Sequence, residues 1–217
     1  PFELFVNCSN LTTINIPSSV KEIKPLCFAG CAALTHVVIP EGVELIGRQA
    51  FSECTKLQSI IIPSSIVESG IPSGADTPIK GVAKGAFWKC DNLSKVYYNG
   101  TQEQWNNIVD YEADTKTTLA GETRDNSVLK KDGVVSFKCN VTFAMNGHGD
   151  APAAQTVYTG GKLEKVADPT DPDYTFDGWY TDAALTNPFD IKNDTISRDT
   201  VPVSYTHLRA HETTLHL

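Results

Sequence analysis

The first 98 residues of the chain repeat themselves with a fixed period. Three segments, which begin at Cys8, Cys31 and Cys54, align without a gap at a spacing of 23 residues. A fourth unit begins at Cys90, after about 13 additional residues that are rich in Gly, Pro and Ser. Such self-similarity is typical of a solenoid, in which each unit buries its apolar side chains only by stacking on its neighbours.

Each repeat carries an alternating apolar segment, which indicates a strand with one buried face. The alternating pairs are Ile14/Ile16, Val37/Ile39, Ile60/Ile62 and Val96/Tyr98, each following a leucine at Leu11, Leu34, Leu57 or Leu93. A proline follows each of the first three pairs, where a ladder donor is no longer needed. The sequence therefore predicts parallel strands near residues 11–16, 34–39, 57–62 and 93–98, side by side in one sheet.

These columns resemble the leucine-rich repeats of the Bacteroides surface protein A type, also called the Treponema pallidum type. The family pattern is roughly LxxIxIPxxVxxIxxxAFxxC, and the similarity covers residues 1–110, with an insert at 67–81. The segment 96–108 is similar to the ending that often follows the last such repeat. The resemblance implies a cell-surface or secreted protein that binds host proteins, other bacteria or matrix, and whose signal peptide lies outside this segment.

Residues 139–201 predict a second, smaller β-rich domain after a connecting segment at 111–138. This prediction rests on an alternating strand at 141–143, a Gly-rich turn and an aromatic cluster at 174–180. The pattern resembles the internalin B-type, or Listeria–Bacteroides, repeat, on the residues VTF at 141–143 and YTFDGWYTD at 174–182. The resemblance implies a β-grasp, ubiquitin-like fold, so the chain as a whole is expected to be mainly β.

The last residues, 202–217, resemble a translated sequencing adapter rather than the strand that normally ends such a repeat. We therefore expect the β-grasp domain to be truncated, with an exposed sheet edge, and the tail not to pack. The run HLRAHETTLH has histidines at a spacing that zinc sites use, but no Cys and no constellation of acidic residues accompanies it. The sequence predicts no metal site there.

Charge and hydropathy exclude two classes of partner. The net charge is -8, and no basic run exceeds the pair Lys130-Lys131, whereas nucleic acids and anionic membranes require a basic face. No apolar stretch approaches the length of a membrane span. We therefore expect neither nucleic-acid binding nor direct membrane insertion.

The cysteines and histidines predict no catalysis and no cofactor. Four of the six cysteines share one repeat position, which favours buried, reduced thiols, although neighbouring coils are close enough for a disulfide. Cys139 and His148 are the one pair that could act as nucleophile and base, but no nucleophile motif surrounds them. An acidic loop at 168–173 could hold Ca²⁺ but lacks the spacing and the Gly of an EF-hand, which favours a solvated loop stiffened by proline. We predict that the chain is not an enzyme.

The remaining candidate for function is the outward face of the repeat strands. Its predicted ligand-binding residues are Asn15, His36, Val38, Ser59, Ile61, Lys95 and Tyr97. Adjacent exposed apolar groups often mark an interface. This favours an adhesin-like protein whose partner is a protein or cell-surface ligand, including host matrix. The alternatives are a non-catalytic arm of a larger surface enzyme and a purely structural envelope repeat, and the insert could carry the contact instead.

Overall fold

The computed structural model describes residues 4–67, 81–109, 118–119, 122–123 and 125–208. The chain divides into two units, Pro1–Phe137 and Lys138–Leu217. The first unit reaches beyond the expected end of the repeats at residue 110, because Val128, Leu129 and Val134 belong to its core. Residues 68–80 of the predicted insert lie outside the described residues.

The first sheet of unit 1 is formed by the repeat strands. β2 (His36–Val38), β4 (Ser59–Ile62) and β6 (Lys95–Tyr98) pair in parallel and in register. The first residues of β9 (Val135–Val141) add a further parallel partner beside β6. Three of the four predicted repeat strands are thereby confirmed, and their register matches the columns read from the sequence.

The prediction of a strand at 11–16 is wrong. Among the described strands, β2 pairs only with β4, and residues 11–16 have no assigned strand. Ile14 is only half-buried, whereas Val37, Ile60 and Val96 at the same repeat position are buried. Burial of apolar surface therefore stabilises this segment less than the equivalent segments of the later coils. Among the described strands, none forms a hydrogen-bond ladder with it.

A second, shorter sheet closes the far side of each coil. β1 (Glu22–Ile23), β3 (Leu45–Ile46) and β5 (Gly81–Val82) are parallel and in register.

One phenylalanine per coil forms a stacked ladder inside unit 1. Phe5, Phe28, Phe51 and Phe87 follow one another with ring centroids 5.3, 5.2 and 5.6 Å apart and planes within 11° of parallel. Phe87 stacks on Phe51 at a separation only 0.3 to 0.4 Å longer than that of the other neighbours, although the insert separates the two in sequence. Equivalent repeat positions on the two sides of the insert therefore still stack on each other in the core.

The helix after the last repeat closes the solenoid core. α1 (Gln102–Val109) begins with reciprocal hydrogen bonds, in which Gln104 N–H donates to Thr101 Oγ1 (3.2 Å) and Thr101 N–H donates to Gln104 Oε1 (2.9 Å). This is a capping box, which satisfies backbone donors at a helix start. Trp105 packs against Tyr98 with ring centroids 5.2 Å apart, and Ile108 is buried. The helix thus covers apolar groups that a further coil would otherwise cover.

Asn126 completes the closure by hydrogen bonding. In the inner coils the phenylalanine N–H donates to a carbonyl of the next coil, as Phe28 does to Ala50 and Phe51 to Ala86, both at 2.8 Å. For Phe87 the acceptor is Asn126 Oδ1 (3.0 Å), and Asn126 Nδ2 donates to Ala83 O (3.0 Å). One buried amide therefore replaces the backbone of the missing coil. A 3-10 helix (Ser127–Lys130) follows it, after the short antiparallel pair β7 (Thr118–Leu119) and β8 (Glu122–Thr123).

Unit 2 is built from antiparallel strands. The residues of β9 from Lys138 onward pair with β10 (Gln155–Tyr158), and β11 (Tyr174–Tyr180) pairs with β12 (Pro188–Phe189). Its core consists of Cys139, Val141, Trp179, Phe189, Ile191 and Ile196. The β-grasp assignment of this unit stays a prediction.

The expectation of an unpacked tail and an open sheet edge is wrong for residues 203–208. They form β13 (Val203–Leu208), which pairs antiparallel with β11 and buries Val203 and Ser204. β-branched and aromatic residues in this run suit a pleated, half-buried edge, whatever the origin of the segment. The fit is imperfect, because the described contacts leave Ser204 Oγ and Trp179 Nε1 buried without a hydrogen-bond partner.

Candidate binding face

The outward side chains of β2, β4 and β6 form one continuous surface, which we call the strand face. It consists of two columns, His36, Ser59 and Lys95 in the polar column and Val38, Ile61 and Tyr97 in the apolar column. Strand alternation produces this separation, since the intervening Val37, Ile60 and Val96 point into the core and are at most 2% exposed. Six of the seven predicted binding residues thus lie together.

The apolar column is accessible to a partner. Val38 is 58% exposed, an unusual position for a large aliphatic side chain on a sheet that faces water. Ile61 and Tyr97 are half-buried and lie directly beside it in the register. Because neighbouring strands are about 4.8 Å apart, the three side chains make one contiguous apolar strip.

The polar column has a positive character in an acidic chain. His36 and Lys95 are exposed, and His36 Nδ1 lies 2.9 Å from Thr35 Oγ1, which orients the ring. The segments 33–38, 56–61 and 92–97 contain no Asp or Glu, although the chain carries a net charge of -8. The strand segments that form the face therefore carry no carboxylate of their own, although exposed Asp91 directly precedes the last of them.

A carboxylate stands at the far end of the strands and ties three coils together. Glu41 accepts hydrogen bonds from Ser64 N (3.2 Å), Ser64 Oγ (3.1 Å) and Asn99 Nδ2 (2.9 Å). Partial burial acts to raise the pKa of Glu41, but the hydrogen bonds from Asn99 and Ser64 outweigh it and lower the pKa. Glu41 is therefore a structural anion whose bonding capacity is largely used within the protein.

Tyr98 makes a hydrogen bond to the residue that directly precedes the insert. Its buried hydroxyl donates to the carbonyl of Ile66 at 2.6 Å. Burial, together with the charge of Glu41, raises the pKa of Tyr98 to about 12, so the hydroxyl keeps its proton at physiological pH. This bond holds the last described turn before the insert against the apolar core.

The cysteine column is a hydrogen-bonded ladder rather than a reactive site. The thiols of Cys31, Cys54 and Cys90 donate to the carbonyls of Phe5, Phe28 and Phe51 at 3.2, 3.2 and 3.0 Å. Burial raises the pKa of Cys31 to about 11 and that of Cys90 to about 12, and it also raises the pKa of Cys54. These thiols stay protonated and are poor nucleophiles.

The structure has all six cysteines as free thiols. The prediction that the whole column is buried is wrong for Cys8, which is exposed.

Asn15 is the one predicted binding residue that does not lie on an assigned strand. It is exposed and lines a cavity of about 380 Å³ in the first coil, together with Phe5, Ile14 and Val20. The sequence placed it in the apolar column, but the first coil lacks the strand that would align it with Val38. Its inclusion in the site stays a prediction without the support of a paired strand. The insert, which was the alternative contact surface, lies outside the described residues.

The one candidate catalytic pair is not brought together by any described contact. Cys139 lies in the core of unit 2, where burial raises its pKa. His148 instead packs on Tyr174 with ring centroids 3.6 Å apart and has Nδ1 4.0 Å from Asp171 Oδ2. Within the described ranges, no three His, Cys, Asp or Glu residues are grouped as a metal site would require. No helix in the described part of the chain is long and apolar enough to cross a bilayer.

Comparison with known proteins identifies both repeat types. Residues 1–111 match the BspA type leucine rich repeat region in six copies, and residues 140–201 match the Listeria-Bacteroides repeat domain. A solved structure of a leucine rich cell surface protein from Faecalibacterium prausnitzii A2-165 is 34% identical over 49% of this chain, with a TM-score of 0.40. The present chain spans 25% of that protein's chain. No curated protein matches. Since the repeat match covers half of the chain, the protein belongs to the BspA-type leucine-rich-repeat family.

Proposed function

We propose that this protein works at the bacterial cell surface or outside the cell, and that it binds another protein or a cell-surface ligand through its strand face. The observation that carries the proposal is the apolar column, with Val38 58% exposed beside Ile61 and Tyr97. A strand face that only contacted water would carry polar side chains at these positions. Exposed, contiguous apolar groups are typical of interaction surfaces.

The family supports the location and the class of activity. Leucine-rich repeats bind proteins, and the combination with a Listeria-Bacteroides repeat joins two modules that resemble those of surface proteins. The repeat geometry supports binding as well, because a rigid sheet presents its side chains at fixed spacing and little order is lost when a partner docks. Adhesion to host or bacterial surfaces is the role that this arrangement fits best.

The thiols argue for a binding role over a catalytic one. The three buried cysteines of the column are protonated hydrogen-bond donors within the core, and Cys139 is buried in unit 2. The strand face itself offers an imidazole, a hydroxyl and an ammonium group, without a carboxylate to orient the histidine. The alternative role, a non-catalytic arm of a larger surface enzyme, would require a catalytic domain in the same reading frame, which sequencing the intact gene would reveal.

A binding screen with matched variants tests the proposal. The chain is screened against host matrix and bacterial surface proteins by biolayer interferometry, and each hit is remeasured with Val38→Glu and Tyr97→Ala. A true anchor should lose about thirtyfold in affinity, which corresponds to about 2 kcal/mol. Val201→Glu is the control, because Val201 is a valine of similar exposure (52%) in unit 2.

The outcome separates the strand face from other surfaces. Equal losses for Val38→Glu and Val201→Glu would point to a nonspecific effect of the added charge. Hits that bind Val38→Glu and Tyr97→Ala as tightly as the parent would place recognition elsewhere and contradict the proposal. Circular dichroism of each variant checks that it stays folded.

A further inference from the structure

The two columns of the strand face differ in chemistry at a spacing that a peptide can match. His36 and Lys95 stand two residues before Val38 and Tyr97 on their own strands, as Ser59 does before Ile61. Two residues along a strand span about 6.6 to 6.8 Å. Lys56, exposed and three residues before β4 begins, adds a second ammonium group on the polar side. The polar column, with the ammonium groups of Lys95 and Lys56 on its side, and the apolar column therefore run side by side, about one alternate-residue step apart.

We propose that the occupant of the strand face is an extended, acidic polypeptide segment in which a carboxylate and a large apolar side chain are separated by one residue. The inference rests on the proposed function and specifies its partner. In an extended chain, alternate side chains point to the same side at the same 6.6 to 6.8 Å step. The carboxylate then lies over the polar column within reach of Lys95, while the apolar side chain lies on the apolar column.

Charge complementarity selects the acidic partner. The strand segments contain no Asp or Glu, so no like charge on the face opposes an incoming carboxylate. Two acids flank the face: Glu41 lies beyond the apolar column and accepts hydrogen bonds from Ser64 and Asn99, and exposed Asp91 precedes Lys95 by four residues. Within the strand segments themselves, a basic peptide would find no counter-ion. An uncharged apolar peptide would leave the ammonium groups of Lys95 and Lys56 without a partner.

The same observations favour a polypeptide over a sulfated glycan. A polyanionic glycan requires several cations close together, whereas the polar column offers one lysine, one histidine and one serine. The chain as a whole carries a net charge of -8 and repels a polyanion. The apolar column, which is the more accessible half of the face, would contact nothing suitable on a sulfated sugar.

The size of the face predicts how the segment must be presented. Three strands about 4.8 Å apart give a face about 10 Å wide, which is far smaller than the roughly 800 Å² per partner of a stable interface. A single segment will therefore bind weakly, and several copies displayed together will bind through avidity. Surface proteins meet their partners in many copies, so weak single contacts are sufficient.

The test uses two biotinylated heptapeptides on streptavidin, Ser-Asp-Ser-Leu-Ser-Asp-Ser and its counterpart with Asn in place of Asp. Binding to the whole chain is measured by biolayer interferometry at low and high salt, and amide shifts in an NMR spectrum locate the contact. We expect the Asp probe to bind about three- to fivefold more tightly per segment, the gain that one exposed ion pair supplies. High salt should remove this advantage.

Matched charge reversals identify the residues. Lys95→Glu should abolish the preference for the Asp probe, and Val38→Glu should weaken both probes. Lys21→Glu should change neither, because Lys21 is an equally exposed lysine next to β1 on the other sheet. Amide shifts should concentrate on residues 36–38, 59–61 and 95–97.

The outcomes distinguish this inference from the proposed function. Equal binding of the two probes, an unchanged preference in Lys95→Glu, or tighter binding of a heparin oligosaccharide would each overturn the acidic-segment inference. A protein hit from the screen that depends on Val38 but not on Lys95 would also overturn it, while leaving the proposed function intact. Binding of the Asp probe with amide shifts outside the strand face would overturn both.

Discussion

The solenoid of unit 1 and the last strand of unit 2 satisfy their buried polar groups in opposite ways. In the solenoid, each coil meets the backbone of the next, and even the final coil finds a substitute in the side chain of Asn126. In unit 2, β13 pairs along β11 but leaves Ser204 Oγ and Trp179 Nε1 without partners. In a repeated interface, the same backbone hydrogen bonds satisfy the polar groups of every inner coil. An edge strand can pair through its backbone even where its side-chain polar groups find no partner.

The largest expected effect comes from breaking the aromatic ladder in the middle of the solenoid. Phe51→Ala should lower the free energy of unfolding of unit 1 by about 3–5 kcal/mol, because the fully buried ring stacks on both Phe28 and Phe87. Phe5→Ala is the control, since Phe5 has a stacking partner only in Phe28 among the described rings. Urea denaturation followed by circular dichroism measures both, and equal losses would contradict the ladder as a source of cooperativity.

The next effect concerns the closure of the solenoid. Asn126→Ala should cost about 2–3 kcal/mol, because it leaves the buried N–H of Phe87 and the carbonyl of Ala83 unpaired. Asn146→Ala is the control, since Asn146 is exposed and donates its described side-chain hydrogen bond to the carbonyl of Ser204 in unit 2. Hydrogen exchange should show the Phe87 amide losing protection in Asn126→Ala. Retained protection would mean that another group replaces Asn126 as the acceptor.

A smaller effect, of opposite sign, is expected at β13. Ser204→Ala should stabilise unit 2 by about 1 kcal/mol, because it removes a buried hydroxyl that has no partner. Thermal unfolding monitored by Trp fluorescence measures the change, with Thr206→Ala as a control at a half-buried position on the same strand.

The pairing of β13 is itself open to test, since deletion of residues 203–217 should lower the melting temperature of unit 2. An unchanged melting temperature would show that β13 does not pair.

The smallest effect is the pH dependence that Glu41 contributes. Its pKa is lowered in the folded state, so its stabilisation is present above the ordinary value of 4.5 and is lost as the pH falls through the lower, folded pKa. The carboxylate is exposed, which limits the contribution to below about 1 kcal/mol. Glu41→Gln should flatten the fall in stability of unit 1 between about pH 5 and pH 3 relative to the parent. The same slope in both proteins would show that other carboxylates cause it.

The repeat columns show how far a periodic sequence constrains a fold. The strands at 36–38, 59–62 and 95–98, their register and the division into outward and inward side chains all follow from the alignment of the repeats. The phase is kept across the insert, as the stacking of Phe87 on Phe51 shows. Stacked coils impose the same inward direction on equivalent residues, so a periodic pattern predicts both the sheet and most of the strand face.

The failures of prediction all lie where that periodicity ends. The first coil has no assigned strand at 11–16, so no strand register aligns Asn15 with Val38. The amide of Asn126 closes the last coil from 36 residues beyond Cys90, and no repeat position marks it. The run 203–208 pairs with β11 although it resembles a foreign tail.

The sequence by itself determined the repeat period, the buried columns and the class of surface that the strands present, because each of these depends on side-chain alternation within one unit. The tertiary structure alone decided which coils are paired, what closes the end of the solenoid, and which strand occupies the edge of β11. Those outcomes depend on hydrogen-bond partners that are distant in sequence, and a backbone N–H or C=O accepts any partner that reaches it. Local sequence patterns therefore specify the side chains of the strand face. The boundaries of the face are set by the hydrogen-bond partners that the backbone groups at its ends reach in the tertiary structure.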